Sequence, residues 1–218
     1  MIEITLKDGS KKEVEKGITI LELAKNISEG LARVSTCGRV DGEIKDLRFK
    51  LEKDAQVEIL TFENDEDGKK AYWHTTSHIM AQAIKRLYKD VKLAIGPAID
   101  GGFYYDFDLE HRFTEEDYEK IEAEMKKIIK EDLPIERFTL SRNEAIKLMK
   151  ELGEDYKVEL IEELPDDEEI SFYKQGEFTD LCAGPHLAST GNVKAVKLLT
   201  HSGAYWRGNE NNKMLQRI

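Results

Sequence analysis

Long apolar runs are missing from this chain of 218 residues. No stretch of about 18 apolar residues occurs, so no membrane-spanning helix is predicted. The opening segment "MIEITLKDGSKKEVEKG" alternates apolar and polar residues, whereas a secretory signal needs an unbroken apolar block. Cysteine is scarce. Cys37 and Cys182 are the only two and lie far apart, too few for a disulfide scaffold, so a reducing, cytoplasmic setting is expected. Basic residues are outnumbered, with 33 Lys and Arg against 44 Asp and Glu and a net charge of -11. The sequence has no linear basic patch of the kind a general nucleic-acid binder carries. A nucleic-acid partner would need a local grip, or contacts outside this chain. There is no internal repeat and no low-complexity tract.

The composition that remains, 40% hydrophobic and 35% charged, suits one or two globular domains. Residues 1–62 read as a small domain. "IEITLKDGSKKEVEKG" is a strand, an Asp8-Gly9 turn and a second strand. "ITILELAKNI" has helical apolar spacing, and "ARVSTCGRV" and "AQVEILTF" read as further strands. The set predicts a β-grasp sheet with one helix across a face. This segment holds 11 Lys and Arg and 12 Asp and Glu, leaving 22 and 32 for the rest, so residues 63–218 carry most of the acidity.

"ENDEDGKK" reads as a linker. The second domain, 63–218, is predicted as α+β with a mainly antiparallel sheet. A helix is expected over about 69–88, then two strands around Asp100-Gly101-Gly102 in "KLAIGPAIDGGFYYDFD". "TEEDYEKIEAEMKKIIKED" is a helix with an acidic first turn. "PIERFTL" is a strand, "SRNEAIKLMKEL" a helix with a Ser141–Glu144 capping box, and "YKVELIEEL" a further short helix. "ISFYKQGEFTDLCAGPHL" and "NVKAVKLLTHSGAYW" are expected to supply the last strands.

Two clusters carry chemistry. "AYWHTTSHIMAQAIKRLY" puts His74 and His78 four apart on one helical face. The HExxH metalloprotease pattern fails, because Thr75 stands where the glutamate belongs. "TDLCAGPH" adds Cys182 and His186 around a Gly-Pro turn, with Asp180 just ahead. Two histidines and a Cys/His pair are side chains that zinc prefers. The same four could instead surround a water and a substrate, with Asp180 fixing an imidazole tautomer.

The HxxxH and CxGPH pair, about a hundred residues apart, resembles the editing domain of bacterial-type threonyl-tRNA synthetases, shared in outline with the alanyl enzymes. "IGPAIDGGFYYDFD", "YKVELI" and "GAYWRGNENNKMLQRI" are similar to the threonyl family specifically, and the N-terminal hairpin domain resembles its TGS domain. The resemblance covers essentially the whole chain. It departs at Ala183, where a common form of the family motif has Arg. Family members continue past "NNKMLQRI" into a class II aminoacylation core and an anticodon-binding domain. The chain is therefore expected to be an N-terminal piece that cannot charge tRNA, with ATP and the catalytic zinc belonging to the missing core. It is expected to be mainly monomeric, where full-length relatives are homodimers.

The resemblance implies hydrolysis of seryl-tRNA(Thr). A pocket can turn one missing methyl into only about 1–3 kcal/mol of discrimination, while translation needs roughly 10⁴-fold. A second sieve that admits serine and excludes threonine supplies the difference. On this reading His74 orients or activates the attacking water or binds the terminal ribose, and Lys157, positioning water or stabilising the oxyanion, is the second catalytic candidate. Asp180 reads the serine amine or hydroxyl, Tyr104 or Tyr105 limits the pocket, and His78, Cys182 and His186 line the cleft. Water attack without a metal ranks first. Zinc held by His74, His78, Cys182 and His186, as in the alanyl relatives, ranks second, and a Cys182 nucleophile last. The competing readings are a free-standing deacylase, a zinc hydrolase and a non-catalytic tRNA-binding module.

Overall fold

The computed structural model describes residues 1–218. The chain opens with a five-stranded sheet, ordered Lys11–Val14, Ile2–Leu6, Ala55–Thr61, Ser35–Val40 and Glu43–Lys45. Ile2–Leu6 runs parallel to Ala55–Thr61, and the other pairs are antiparallel. Helix α1, Ile20–Ile27, is started by a capping box between Thr19 and Glu22. It buries Ile20 and Leu23 against Ile2, Ile4, Val14, Leu51 and Val57. Gly38 permits the close approach, since a Cβ there would stand 2.9 Å from Ile20 Cδ1. This is the predicted β-grasp arrangement.

One expectation for this region changes. "ARVSTCGRV" is not a strand throughout, because its first three residues end a second helix, α2, Glu29–Val34. The Ser28 hydroxyl accepts from Leu31 N–H and starts that helix, so only Ser35–Val40 joins the sheet.

The predicted linker is also largely helix. Helix α3 spans Glu66–Leu87, three residues earlier than the spacing suggested, and is capped by Asp65. Its Gly68 is there for space rather than freedom. A Cβ would lie 2.2 Å from the Thr61 carbonyl oxygen, so a side chain would keep α3 off the preceding strand.

Beyond α3 the chain is α+β and every strand pairing is antiparallel. Helix α4, Glu115–Glu131, packs Ile121, Met125 and Ile128 against Ile79, Met80 and Ile84 of α3. A four-stranded sheet runs in the order Ser202–Tyr205, Met214–Arg217, Asp106–Asp108, Lys92–Leu93. A three-stranded sheet runs Ile135–Leu140, Ile170–Gln175, Phe178–Leu181. Helices α5, Arg142–Glu151, and α6, Asp155–Glu163, bury Ala145, Met149 and Ile161 against Ile170 and Phe172 of that sheet.

Two expected strand segments are loops. Cys182–Ala188 has no strand, and in "NVKAVKLLTHSGAYW" only Ser202–Tyr205 is one. The N–H groups of Lys194 and Ala195 donate to the Tyr72 hydroxyl, and that of Leu198 donates to Glu122. Side chains satisfy this backbone, so it has no need of a neighbouring strand.

Candidate active site

Helix α3 carries His74 and His78 on one face, with ring centroids 5.1 Å apart. The loop after strand Phe178–Leu181 carries Cys182 and His186. It turns through Gly184, at φ +79°, and a cis Gly184-Pro185 bond. Gly184 is required on two counts: its φ is left-handed, and a Cβ would meet the Tyr173 hydroxyl at 2.1 Å. The loop folds back so that Cys182 Sγ lies 3.3 Å from His74 Nε2 and 3.2 Å from His186 Nε2. The Gly184 N–H donates to the same sulfur. One donor atom from each of the four side chains falls within 4.8 Å of all the others.

The hydrogen bonds around His186 fix its tautomer. The Thr75 hydroxyl donates to the Ala71 carbonyl and accepts from the Leu187 N–H, both at 3.0 Å. Its remaining lone pair faces His186 Nδ1 at 3.0 Å. Nδ1 therefore carries the proton, and Nε2 presents a lone pair to the cluster.

A charged group adjoins the cluster. Asp180 Oδ1 lies 2.8 Å from Lys157 Nζ on α6. Its Oδ2 accepts from the Tyr105 hydroxyl at 2.5 Å, and Lys157 Nζ donates to the same hydroxyl at 3.0 Å. His78 joins the two groups, with Nε2 3.5 Å from Asp180 Oδ2. That distance is long for a hydrogen bond, but the carboxylate favours a proton on Nε2. Nδ1 is then left with a lone pair, and it is the one buried side-chain nitrogen or oxygen of the chain without a partner.

Burial sets the protonation states. It pushes His74 down to about 4 and His78 down to about 3, and holds His186 well below the ordinary imidazole value. All three rings are neutral at neutral pH. Burial raises the Cys182 thiol to about 12, so it stays protonated. For Asp180 burial acts in the raising direction, but Lys157, His78 and the Tyr105 hydroxyl outweigh it and the carboxyl sits below its usual value.

The structure thus brings together His74, His78, Lys157, Asp180, Cys182 and His186. Tyr104 does not join them and is replaced by Tyr105. The Arg217 guanidinium lies 3.8 Å from the Tyr104 ring centroid, while Tyr105 is fully buried against Asp180. Tyr105 and Ile218 exchange backbone hydrogen bonds as paired extended residues do, and successive side chains on such backbone face opposite ways. Thr75 was not singled out from the sequence. Its place between two helical histidines was the available signal.

The donor set also fits a metal. Three imidazole nitrogens and one cysteine sulfur, deprotonated on binding, are zinc ligands, and a tetrahedral zinc needs them about 3.4–3.7 Å apart. Both Cys–His gaps are already close to that, and the anchored Nδ1–H of His186 is the usual outer support of a ligating imidazole.

Residues 2–61 match the TGS domain family. Residues 170–218 match the family described as the threonyl and alanyl tRNA synthetase second additional domain. The chain is 69% identical over 215 residues to the threonine–tRNA ligase of Caldanaerobacter subterraneus subsp. tengcongensis, covering 99% of this chain and 33% of that protein. It is 67% identical over 218 residues to that of Acetivibrio thermocellus and 63% to that of Clostridioides difficile, in both cases over 100% of this chain and 34% of the relative. The chain is thus similar, over its whole length, to a region of threonine–tRNA ligases that carries a TGS domain and a second additional domain. It spans about a third of the length of these curated relatives. The second-additional-domain match contains Asp180, Cys182 and His186 but begins after His74, His78 and Lys157. The fold, not the sequence neighbourhood, assembles the site. No helix is long and apolar enough to cross a membrane.

Proposed function

We propose that this region hydrolyses the ester of seryl-tRNA(Thr), releasing serine and tRNA(Thr), as the proofreading part of a threonine–tRNA ligase. The observation that carries this reading is the contact between two unlike groups. A neutral cluster of imidazoles and a thiol meets a charge-paired carboxylate through His78, 3.5 Å from Asp180. Asp180 is suited to hold the serine ammonium or hydroxyl beside Tyr105. His74, neutral and only half-buried, is suited to take a proton from a water attacking the ester carbonyl. Lys157 supports Asp180 and can help stabilise the developing oxyanion. The unpartnered His78 Nδ1 is an acceptor available to that water or to the substrate. A Cys182 nucleophile fits poorly, because the reactive form is the thiolate and the site holds the thiol protonated. The partners would be the 3′ end of tRNA(Thr) and, in the whole ligase, the aminoacylation and anticodon-binding domains.

The donor set favours a second reading, in which His74, His78, Cys182 and His186 hold zinc. A bound zinc would lower the pKa of a coordinated water. One experiment separates the two. Purified chain is mixed with seryl-tRNA(Thr) and with threonyl-tRNA(Thr), with and without a chelator. Hydrolysis of the serine ester alone, unaffected by chelator, is expected. Chelator-sensitive hydrolysis moves the four side chains to zinc ligands, and loss of neither ester sinks the deacylase reading.

A further inference from the structure

The loop that carries Cys182 and His186 is held from outside its own domain. His186 is gripped at both ends of its backbone by residues of the β-grasp domain. Its N–H donates to Asp46 Oδ2 at 3.1 Å, and its carbonyl accepts from Arg48 Nη1 at 3.1 Å. The remaining donors of Arg48 are committed around the same loop. Nε donates to the Ile135 carbonyl at 2.8 Å, and Nη2 donates to the Ile135 and Leu187 carbonyls at 2.5 and 2.6 Å. Asp46 Oδ1 accepts from Arg48 Nη1 at 2.9 Å, which orients the guanidinium. Asp46 Oδ2 also accepts from the Tyr173 hydroxyl at 2.8 Å. The Tyr173 ring lies 4.3 Å from the His186 ring, centroid to centroid. Only a planar fork of five donors can serve three carbonyls and a carboxylate at once.

We propose that Asp46 and Arg48 are positioning residues for the hydrolytic site: through the backbone of His186 and Leu187 they hold the Cys182–Leu187 loop against α3. The β-grasp domain then has a role in the chemistry although it carries no catalytic group. The proposal deepens the deacylase reading and rests on it for its kinetic consequence. Its structural consequence stands alone. When the clamp is cut, the loop moves off α3, Cys182 loses its packing against His74, and its thiol becomes accessible.

The same two domains are tied at a second place, which serves as the control. Arg39 binds Glu58 in its own sheet and Asp65 and Asp67 at the start of α3, and makes no hydrogen bond to the loop or to the cluster. Arg48→Met, Asp46→Ala and Arg39→Met are each compared with the unchanged chain, after circular dichroism has established folding. Two quantities are read. The first is alkylation of Cys182 by iodoacetamide, mapped by peptide mass so that Cys37 is scored apart. The second is kcat and KM for seryl-tRNA(Thr) hydrolysis. Arg48→Met and Asp46→Ala are expected to raise the Cys182 alkylation rate at least about tenfold, and to lower kcat about 10- to 100-fold with KM changed less than about threefold. Arg39→Met is expected to leave both near the unchanged chain.

Unaltered alkylation and kcat in the two clamp variants overturn the proposal. Equal effects from Arg39→Met overturn it too, because general loosening between domains would then be the cause. If the unchanged chain hydrolyses neither ester, the deacylase reading fails while the alkylation comparison still decides the clamp. If Arg48→Met does not fold, Arg48→Lys takes its place. It keeps the charge but cannot span the three carbonyls, so it is expected to raise alkylation in the same direction.

Discussion

Lys157 Nζ stands 2.8 Å from Asp180 Oδ1, with the two side chains 4% and 2% exposed. Removing one partner of such a pair leaves the other charge buried and unpaired, a loss of about 3–5 kcal/mol. Lys157→Met is expected to lower stability by that amount and to abolish ester hydrolysis. The double variant Lys157→Met/Asp180→Leu, which buries no charge, is expected to regain part of the stability and none of the activity. Urea unfolding of the three proteins checks this. A single-variant loss of less than about 1 kcal/mol would mean that water reaches the pair.

Thr75 places His186 in one tautomer, and Thr75→Val tests it without changing shape. The variant leaves the Leu187 N–H and the His186 Nδ1–H without their acceptor. Each buried orphan costs about 1–3 kcal/mol. Stability is expected to fall by about 2 kcal/mol or more. Imidazole ¹⁵N spectra are expected to show the His186 Nδ1–H form in the unchanged chain and its loss in the variant. The same tautomer in both would show that something other than Thr75 sets it.

Much of this site could be read from the chain, and the missed parts share a cause. His74 and His78 announce themselves because helical spacing is local, as does the Ser141–Glu144 capping box of α5. The β-grasp sheet follows from short alternating strands and a Gly turn. Gly68 misled because a glycine needed for close packing looks the same in sequence as one in a linker. Val193–His201 misled because its apolar residues suggest a strand, yet its N–H groups are taken by Tyr72 and Glu122 from distant elements. Tyr104 and Tyr105 are adjacent and chemically alike, so only the facing of the backbone separates them. Asp46 and Arg48 bond each other locally, but nothing near them in the chain reveals the clamp, since its other partners lie 87 to 140 residues away.

Cys182 is expected to be an inert thiol in the folded protein. Burial raises it to about 12, so little thiolate is present near neutral pH. Its alkylation should run about a thousandfold slower than that of free cysteine, which titrates near ~8.5. Intact-mass analysis after rapid quenching with seryl-tRNA(Thr) is expected to show no seryl adduct. A transient adduct on the Cys182 peptide would instead establish the covalent route that ranks last here.

Acid should destabilise the fold through its buried histidines, and the sign follows from where each proton goes. In the folded chain His74 titrates at about 4 and His78 at about 3, with His186 well below its usual value, all because burial disfavours the cation. In the unfolded chain the same rings titrate near ~6.5. Above that value neither state binds the protons, and the contribution is fully present. As the pH falls below it, the unfolded chain takes up protons that the folded chain refuses, so stability declines until the folded values are reached. Each imidazole adds about 1.4 kcal/mol per pH unit to the slope, and three acting together add about 4. Denaturant midpoints measured from pH ~7.5 down to ~4.5 should fall steeply below ~6.5, and His186→Gln should remove about a third of that slope. A curve already flat in the unchanged chain would mean that the three rings are charged or solvated in the fold, and the neutral-base role assigned to His74 would fall with it.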